Sequence, residues 1–303
     1  MTTEAADLAE PARKMRSVEE AVHDPRYGYH VYLRDGIAYT PDVTDEIAAT
    51  IENFPIGDRD VIAAGYPKSG TNWLTIMLAR LYPDWETTKV SGAGRAPSLD
   101  VPSRPAIGFE GLDECLAAPS PRLMKCHSPL QHMPAAFRDR GIGRAIYVTR
   151  NPKDVCDSYF GQLQPWLPPE WTWDRHVDAF IQGHIFFGSW LDNVRGWHTR
   201  DEASGVLHLG YEEMNRDRRA AIERIVEFVG PVADGVIDRV VAETDFRAMQ
   251  EGELRTHYQP QMLRREGKAG GWKRRFTVEQ SERIDAAFAT ALDAAGIDID
   301  YGR

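Results

Sequence analysis

Apolar positions recur along this chain in two rhythms, and each change of rhythm marks an element. Residues 60–65, DVIAAG, are an apolar run of strand length. In the GTNWLTIMLARLYP that follows, Trp73, Met77, Leu78 and Leu81 fall at i, i+4, i+5 and i+8, which predicts a helix with one apolar face. RLMKC at 122–126 and RAIYVT at 144–149 predict two more strands, the second apolar and β-branched. NPKDVCDSYFG then opens a helix, with Asn151 as cap and Pro152 at its first position. VLHLG at 206–210 predicts a fourth strand, with a helix through 217–229.

The intervening segments read differently. Residues 91–108 are rich in Gly, Pro and Ser and predict an irregular loop. GQLQPWLPPEWTW at 161–173 carries too much proline for a simple helix, and 174–198 predicts one long helix. A basic glycine-containing loop, LRREGKAGGWKRRF, precedes an amphipathic helix at 278–295.

Strands alternating with helices predict an α/β fold: a central parallel sheet flanked by helices, of P-loop-like nucleotide-binding type. Ligands in such folds sit beyond the carboxyl ends of the strands. Three of the four predicted strand ends carry polar clusters, YPKSGT, KCHSP and TRNPKD. No break in composition marks a second domain, so 1–303 is read as one domain with 1–25 as a peripheral leader.

Composition narrows the classes. Apolar residues at 42% and charged residues at 27% are those of a globular protein. A net charge of -10 argues against nonspecific nucleic-acid binding while leaving room for a local basic pocket. Cys115, Cys126 and Cys156 lack the number and spacing of a disulfide framework or zinc site. The first twenty residues hold no apolar run, and no stretch approaches membrane-spanning length. The expectation is a cytoplasmic protein with reduced thiols and no membrane partner.

The cluster after the first strand resembles a phosphate loop but departs from the order G-x-x-x-x-G-K-[ST]. Gly65 and Gly70 have the right separation, yet Thr71 follows the second glycine directly and Lys68 lies inside the loop. Backbone N–H groups at 68–72 can still face an anion at the helix start. The lysine and hydroxyl pair suited to a metal-bound triphosphate is missing, and VLHLGYEE ends without an evident magnesium carboxylate. The alternative is a turn before an ordinary helix.

In RLMKCHSP, Lys125 and His127 are two apart and can share one side of an extended segment. Such a histidine is either structural or a base able to take a proton from a hydroxyl near neutral pH. Arg150 ends the third strand and can grip a phosphate, or it pairs with Asp154 or Asp157. Ser158 lies two turns further on.

Together YPKSGTNWL (66–74), KCHSPLQHMP (125–134), YVTRNPKDVCDSYF (147–160) and REGKAGGWKRRFTVEQSE (265–282) resemble the cytosolic sulfotransferase family. The likeness spans about 30–290. It implies transfer of a sulfuryl group from 3'-phosphoadenosine 5'-phosphosulfate (PAPS) to a hydroxyl or amine of a small acceptor, with no metal. By that resemblance, Lys68, Ser69, Gly70, Thr71, Asn72 and Trp73 wrap the 5'-phosphate, and Trp73 also meets the adenine. Arg150 and Ser158 hold the 3'-phosphate. His127 is the base, assisted by Lys125, and Lys68 offsets charge on the bridging oxygen. Tyr211, Thr244 and Phe246 border the adenine, and Arg265 and Gly267 complete the 3'-phosphate site.

The chain departs from the family in placing Glu266 where R-K-G is usual, Gly271 before Trp272 where aspartate is usual, and Asn72 where many members carry threonine. Lys273, Thr277, Val278 and Glu282 fit a family spacing that implies a homodimer contact. Phe109, Trp166, Trp171, Trp173, Phe186 and Phe187 are candidates for an apolar acceptor pocket. The rivals are a metal-dependent small-molecule or nucleoside kinase, a noncatalytic nucleotide-binding protein, and an enzyme acting on a large polysaccharide or protein.

Overall fold

The computed structural model describes residues 21–85, 96–245, 248–249 and 269–300. Phe246, Arg265, Glu266 and Gly267 lie outside the described residues, as do 91–95 of the 91–108 loop and most of the leader.

Three short antiparallel strands come first: β1 (Val22–His23), β2 (His30–Arg34) and β3 (Ile37–Tyr39). The helix α1 (Asp45–Glu52), capped by Thr44, leads to β4 (Val61–Ala64). Next come α2 (Thr71–Leu81), α3 (Leu112–Ala117), β5 (Leu123–Cys126), α4 (Ala135–Arg140), β6 (Arg144–Thr149) and α5 (Pro152–Leu163). The chain continues through α6 (Trp173–Gln182), α7 (Trp190–Trp197), β7 (Val206–Gly210), α8 (Tyr211–Arg216), α9 (Arg218–Val229), α10 (Val236–Glu243) and α11 (Val278–Ala294).

Strands β4 to β7 form one parallel sheet in the order β5-β4-β6-β7. All four residues of β4 are buried, because helices cover both faces of the sheet. Alternate residues face alternate cores. Ile62, Ala64, Met124, Tyr147 and Val206 join the first strands, α5 to α7 and α11. Val61, Ala63, Leu123, Ile146 and Leu207 join α2, α9 and α10. Each fully buried Leu, Ile, Phe or Met in these cores adds about 1.5–3 kcal/mol.

The amino ends of β4 and β5 are locked by a buried ion pair. Asp60 accepts from Arg122 Nη2 at 2.6 Å, Nε at 2.9 Å and the Arg122 backbone N–H at 2.9 Å. This pairing sets the level at which both strands end.

The predicted helix at 174–198 is two helices. Gly183, at φ 74, closes α6, and a Cβ there would fall 2.8 Å from the Ser189 nitrogen. Phe187 then adopts φ 67, an unusual conformation for an aromatic residue. The break brings Phe187 to the carboxyl edge of the sheet. The proline-rich 161–173 segment departs from α-helix after Leu163, with a 3-10 turn at Gln164–Trp166, as its composition predicts. Among the described residues, no helix is long and apolar enough to cross a membrane.

Candidate active site

The turns leaving β4, β5 and β6 meet beyond the carboxyl ends of the strands, and two glycines allow the approach. A Cβ on Gly65 would fall 2.7 Å from the Val148 carbonyl oxygen, so only glycine lets the loop leave β4 this close to β6. Gly70, at φ 112, caps α2, and a Cβ there would meet the Tyr211 ring at 2.7 Å. No side chain caps α2, so the positive end of its backbone dipole is turned toward the site. Between the glycines, Ser69 and Thr71 are buried and Lys68 sits half-buried at φ 72. A lysine held in that conformation costs about 1–3 kcal/mol, the kind of strain that gathers at ligand sites.

Trp73 is fastened from two sides. Its Nε1–H donates to the Thr244 carbonyl at 3.0 Å, and its ring meets Tyr211 edge-on at 5.7 Å. Thr244 itself is fully buried, its hydroxyl turned back to the Val240 carbonyl at 2.7 Å. It therefore reaches the site through its backbone oxygen.

Arg150 pairs with neither Asp154 nor Asp157. Its Nη1 donates to the Lys68 carbonyl at 3.1 Å, and its guanidinium lies 4.1 Å from the Tyr211 ring centre. Asp154 instead accepts the Gly270 and Trp272 N–H groups at 2.7 and 3.0 Å, and Asp157 takes Arg275 at 2.5 Å. Both acids thus draw the 270–275 turn against α5. Arg150 Nε and Asn151 Nδ2 are buried and have no partner among the described residues. Donors in that state cost about 1–3 kcal/mol each unless a ligand meets them. Ser158 is buried on the second turn of α5.

Behind Arg150 lies Glu212, 6% exposed, accepting the Asn151 N–H at 3.2 Å. Burial pushes its carboxyl up to about 7, against the pull of the Arg150 charge.

The Nδ1 of His127 lies 2.7 Å from the Gly65 carbonyl oxygen. A carbonyl only accepts, so Nδ1 carries the proton and the lone pair of the neutral ring is on Nε2. Burial, and then the Lys125 charge, hold the imidazole down at about 4, with Lys68 acting in the same direction. The ring meets Phe187 edge-on at 5.6 Å. Lys125 Nζ lies 5.7 Å from the Phe109 ring centre.

Phe109 and Phe187 are therefore the acceptor-pocket candidates that touch site residues. Phe186 stacks on Tyr29 at 4.3 Å, Trp173 packs edge-on against Phe276 at 5.0 Å, and Trp171 belongs to a small cluster with Phe160. These three, and the partly buried Trp166, are packing residues.

Several residues that no motif singled out also build the site. Asp100 accepts the His127 and Ser128 N–H groups at 2.5 and 2.9 Å. Asn193 Nδ2 donates to the His127 carbonyl at 3.1 Å, and Trp197 Nε1 to the Ser128 carbonyl at 3.1 Å. The one hint of Asp100 in the sequence is an acid between two apolar residues, Leu99 and Val101, both of which the fold buries. Among the described residues, no group of three or more His, Cys, Asp and Glu is arranged to hold a metal.

The parts amount to an anion-facing helix start, an arginine with an unmet donor, and a proton acceptor with a fixed tautomer, all at one edge of a parallel sheet. That is the equipment of a group-transfer enzyme whose substrate is anionic. Residues 58–296 match the sulfotransferase domain family, and the chain belongs to that family. It is 32% identical over 267 residues to Sulfotransferase 1A1 of Canis lupus familiaris, covering 83% of this chain and 90% of the relative. It is 31% identical over 262 residues to Sulfotransferase 1C2 of Homo sapiens, covering 82% and 88%. The fold is similar to that of mouse sulfotransferase SULT7A1 complexed with PAP, with a TM-score of 0.72 at 23% identity over 88% of this chain and 97% of that one. It is also similar to retinol dehydratase in complex with androsterone and inactive cofactor PAP, at a TM-score of 0.71 and 19% identity over 99% and 96%.

Proposed function

We propose that this chain transfers a sulfuryl group from PAPS to the hydroxyl, or amine, of a small aromatic or lipophilic acceptor. The observation that carries the reading is His127, its Nδ1–H engaged by Gly65 and its Nε2 left as base, in a turn flanked by Lys125 and facing the Lys68 loop.

The residues fit the donor. The β4–α2 turn, Lys68 to Trp73, serves as a phosphate loop through its amides and the Lys68 ammonium. Arg150 Nε and Asn151 Nδ2 are buried donors that an anion would satisfy, and Ser158, Arg265 and Gly267 join Arg150 at the 3'-phosphate. Trp73, Tyr211, Thr244 and Phe246 border the adenine. When bound, PAPS supplies an already activated sulfuryl group, so the chain's own cations suffice without a metal.

His127 Nε2 takes the acceptor proton as the acceptor oxygen attacks. Lys68 and the α2 amides hold the negative charge that grows on the departing side. Lys125, beside Phe109, turns the acceptor oxygen toward His127. Phe109 and Phe187 exclude water.

Residues 1–303 are read as one catalytic unit acting in the cytoplasm. The 273–282 segment is its dimer contact, because Val278 is 74% exposed at the start of α11 beside the capping Thr277. Titration calorimetry with 3',5'-adenosine bisphosphate, without magnesium and with ATP in parallel, tests the donor. The bisphosphate should bind far more tightly. Equal or stronger binding of ATP would overturn the assignment and favour a kinase.

A further inference from the structure

One buried carboxylate beside the base has no part in the scheme above. Asp100 is 0% exposed, in a segment that adds itself to the outer edge of β5: Leu99 N–H donates to the Lys125 carbonyl and Lys125 N–H to the Pro97 carbonyl, each at 2.8 Å. The segment ends with Asp100 across the carboxyl end of the strand. Its Oδ2 accepts from the His127 N–H at 2.5 Å, the Ser128 N–H at 2.9 Å, the Ser128 hydroxyl at 3.3 Å and the Cys126 thiol at 3.5 Å. Its Oδ1 accepts from the Ser98 hydroxyl at 2.8 Å. The two backbone groups can only donate, so the Asp100 side chain is held as their common acceptor.

Two consecutive residues are thereby held on both sides. Asp100 takes the amides of His127 and Ser128, and Asn193 and Trp197 take their carbonyls. A turn fastened in this way fixes the backbone from which the imidazole reaches the Gly65 carbonyl.

From this arrangement we infer that Asp100 is a positioning residue for His127, fixing the turn that carries the ring and setting a carboxylate beside it. The inference rests on His127 being the base proposed above. The charges facing the ring are Lys125 from β5, Lys68 from the β4–α2 turn and Asp100 from the 97–100 segment, with the Gly65 carbonyl on Nδ1. Both lysines oppose protonation of the ring, and Asp100 and the Gly65 carbonyl favour it. Asp100 meets the backbone of His127 and not its ring nitrogens, so the acceptor proton stays on Nε2 and Asp100 receives none. Its contribution is to favour the imidazolium that forms as the acceptor is deprotonated.

The test is Asp100→Asn, which can keep the two backbone hydrogen bonds through its amide oxygen and face Ser98 with its NH2, removing the charge alone. Ring nitrogen shifts of His127 are read by NMR in histidine-labelled protein, with His127→Gln supplying the assignment. Lys125→Gln serves as background, because removing that ammonium lifts the titration midpoint into an accessible range. Adding Asp100→Asn should lower the midpoint by about one pH unit while Nδ1 stays protonated. A midpoint that holds or rises would overturn the inference, as would loss of the Nδ1–H tautomer in the folded variant. Should Asp100→Asn fail to fold, Asp100→Ser removes the same carboxylate and should also lower the midpoint, while giving up the two backbone hydrogen bonds. Calorimetry with 3',5'-adenosine bisphosphate on the wild type keeps the two readings apart. A protein that does not bind it sinks the donor assignment, and the histidine titration still decides the role of Asp100.

Discussion

The two halves of the site are built in opposite ways. The half around Lys68, Trp73 and Arg150 comes from two neighbouring strand–turn–helix units, and its anion-facing groups follow their strands by a few residues. The half around His127 gathers Asp100, Phe109, Lys125, Phe187 and Asn193 from separate stretches of chain. A phosphate has the same shape and charge in every nucleotide, so a helix start, two glycines and an arginine can meet it from local sequence. A base must be aimed at one oxygen of one acceptor, and that aim is set by whatever packs around it.

If the halves are as separate in energy as in construction, their variants should affect different measurements. The largest effect is expected from His127→Ala: a loss of about 100- to 10,000-fold in sulfuryl transfer, with bisphosphate affinity unchanged by calorimetry. In the wild type, kcat/KM should fall only as pH drops through about 4, where Nε2 becomes protonated, and the acid limb of a pH–rate profile reads this directly.

Arg150→Ala should do the reverse. Bisphosphate affinity should fall about 10- to 100-fold, the worth of one charged hydrogen bond. Arg150→Lys should recover little of it, because an ammonium cannot reproduce the planar contact over Tyr211. Equal losses of rate and affinity in both variants would show that the two halves act as one.

Beneath the donor half, Glu212 makes stability depend on pH. Its carboxyl is raised from 4.5 to about 7 in the fold, so the native state holds its proton where the unfolded chain has lost it. Stability from this group is therefore full below pH 4.5 and is lost as pH rises through 7. Glu212→Gln should raise the melting temperature more at pH 8 than at pH 5, with an upper limit of about 3 kcal/mol. A gain that does not vary with pH would mean the carboxyl is already ionised below neutrality.

The smallest effect on chemistry is expected outside both halves. Val278→Asp should leave transfer unchanged and alter stability by no more than about 0.5 kcal/mol, while sedimentation velocity shows a monomer in place of a dimer. An unchanged sedimentation coefficient would remove the dimer contact.

The same contrast separates what could be read in advance from what could not. The strand before Gly65, the helix from Thr71, the Asn151 cap with Pro152 and the helix from Val278 all appear where periodicity and capping chemistry predict them. The expectation at 174–198 failed because apolar spacing continues across Gly183, and the turn that divides α6 from α7 exists to pack Phe187 against His127. The pairing of Arg150 with a nearby aspartate failed for a similar reason. Asp154 and Asp157 are drawn to the 270–275 turn, more than a hundred residues away.

The family was legible in the sequence alone, and the residues proposed as anion loop, arginine and base were nominated there, because each group of them is adjacent in the chain. Their meaning depends on hydrogen bonds, turns and helix starts that form over a few residues. The tertiary structure decided which tautomer His127 adopts, which aromatics face it, and that a buried Asp100 stands behind it. Those facts depend on partners 27, 66 and 69 residues apart for Asp100, Asn193 and Trp197. Neither a propensity nor a period carries information across such distances. Only the closing of one core around the end of β5 brings these groups within hydrogen-bond reach.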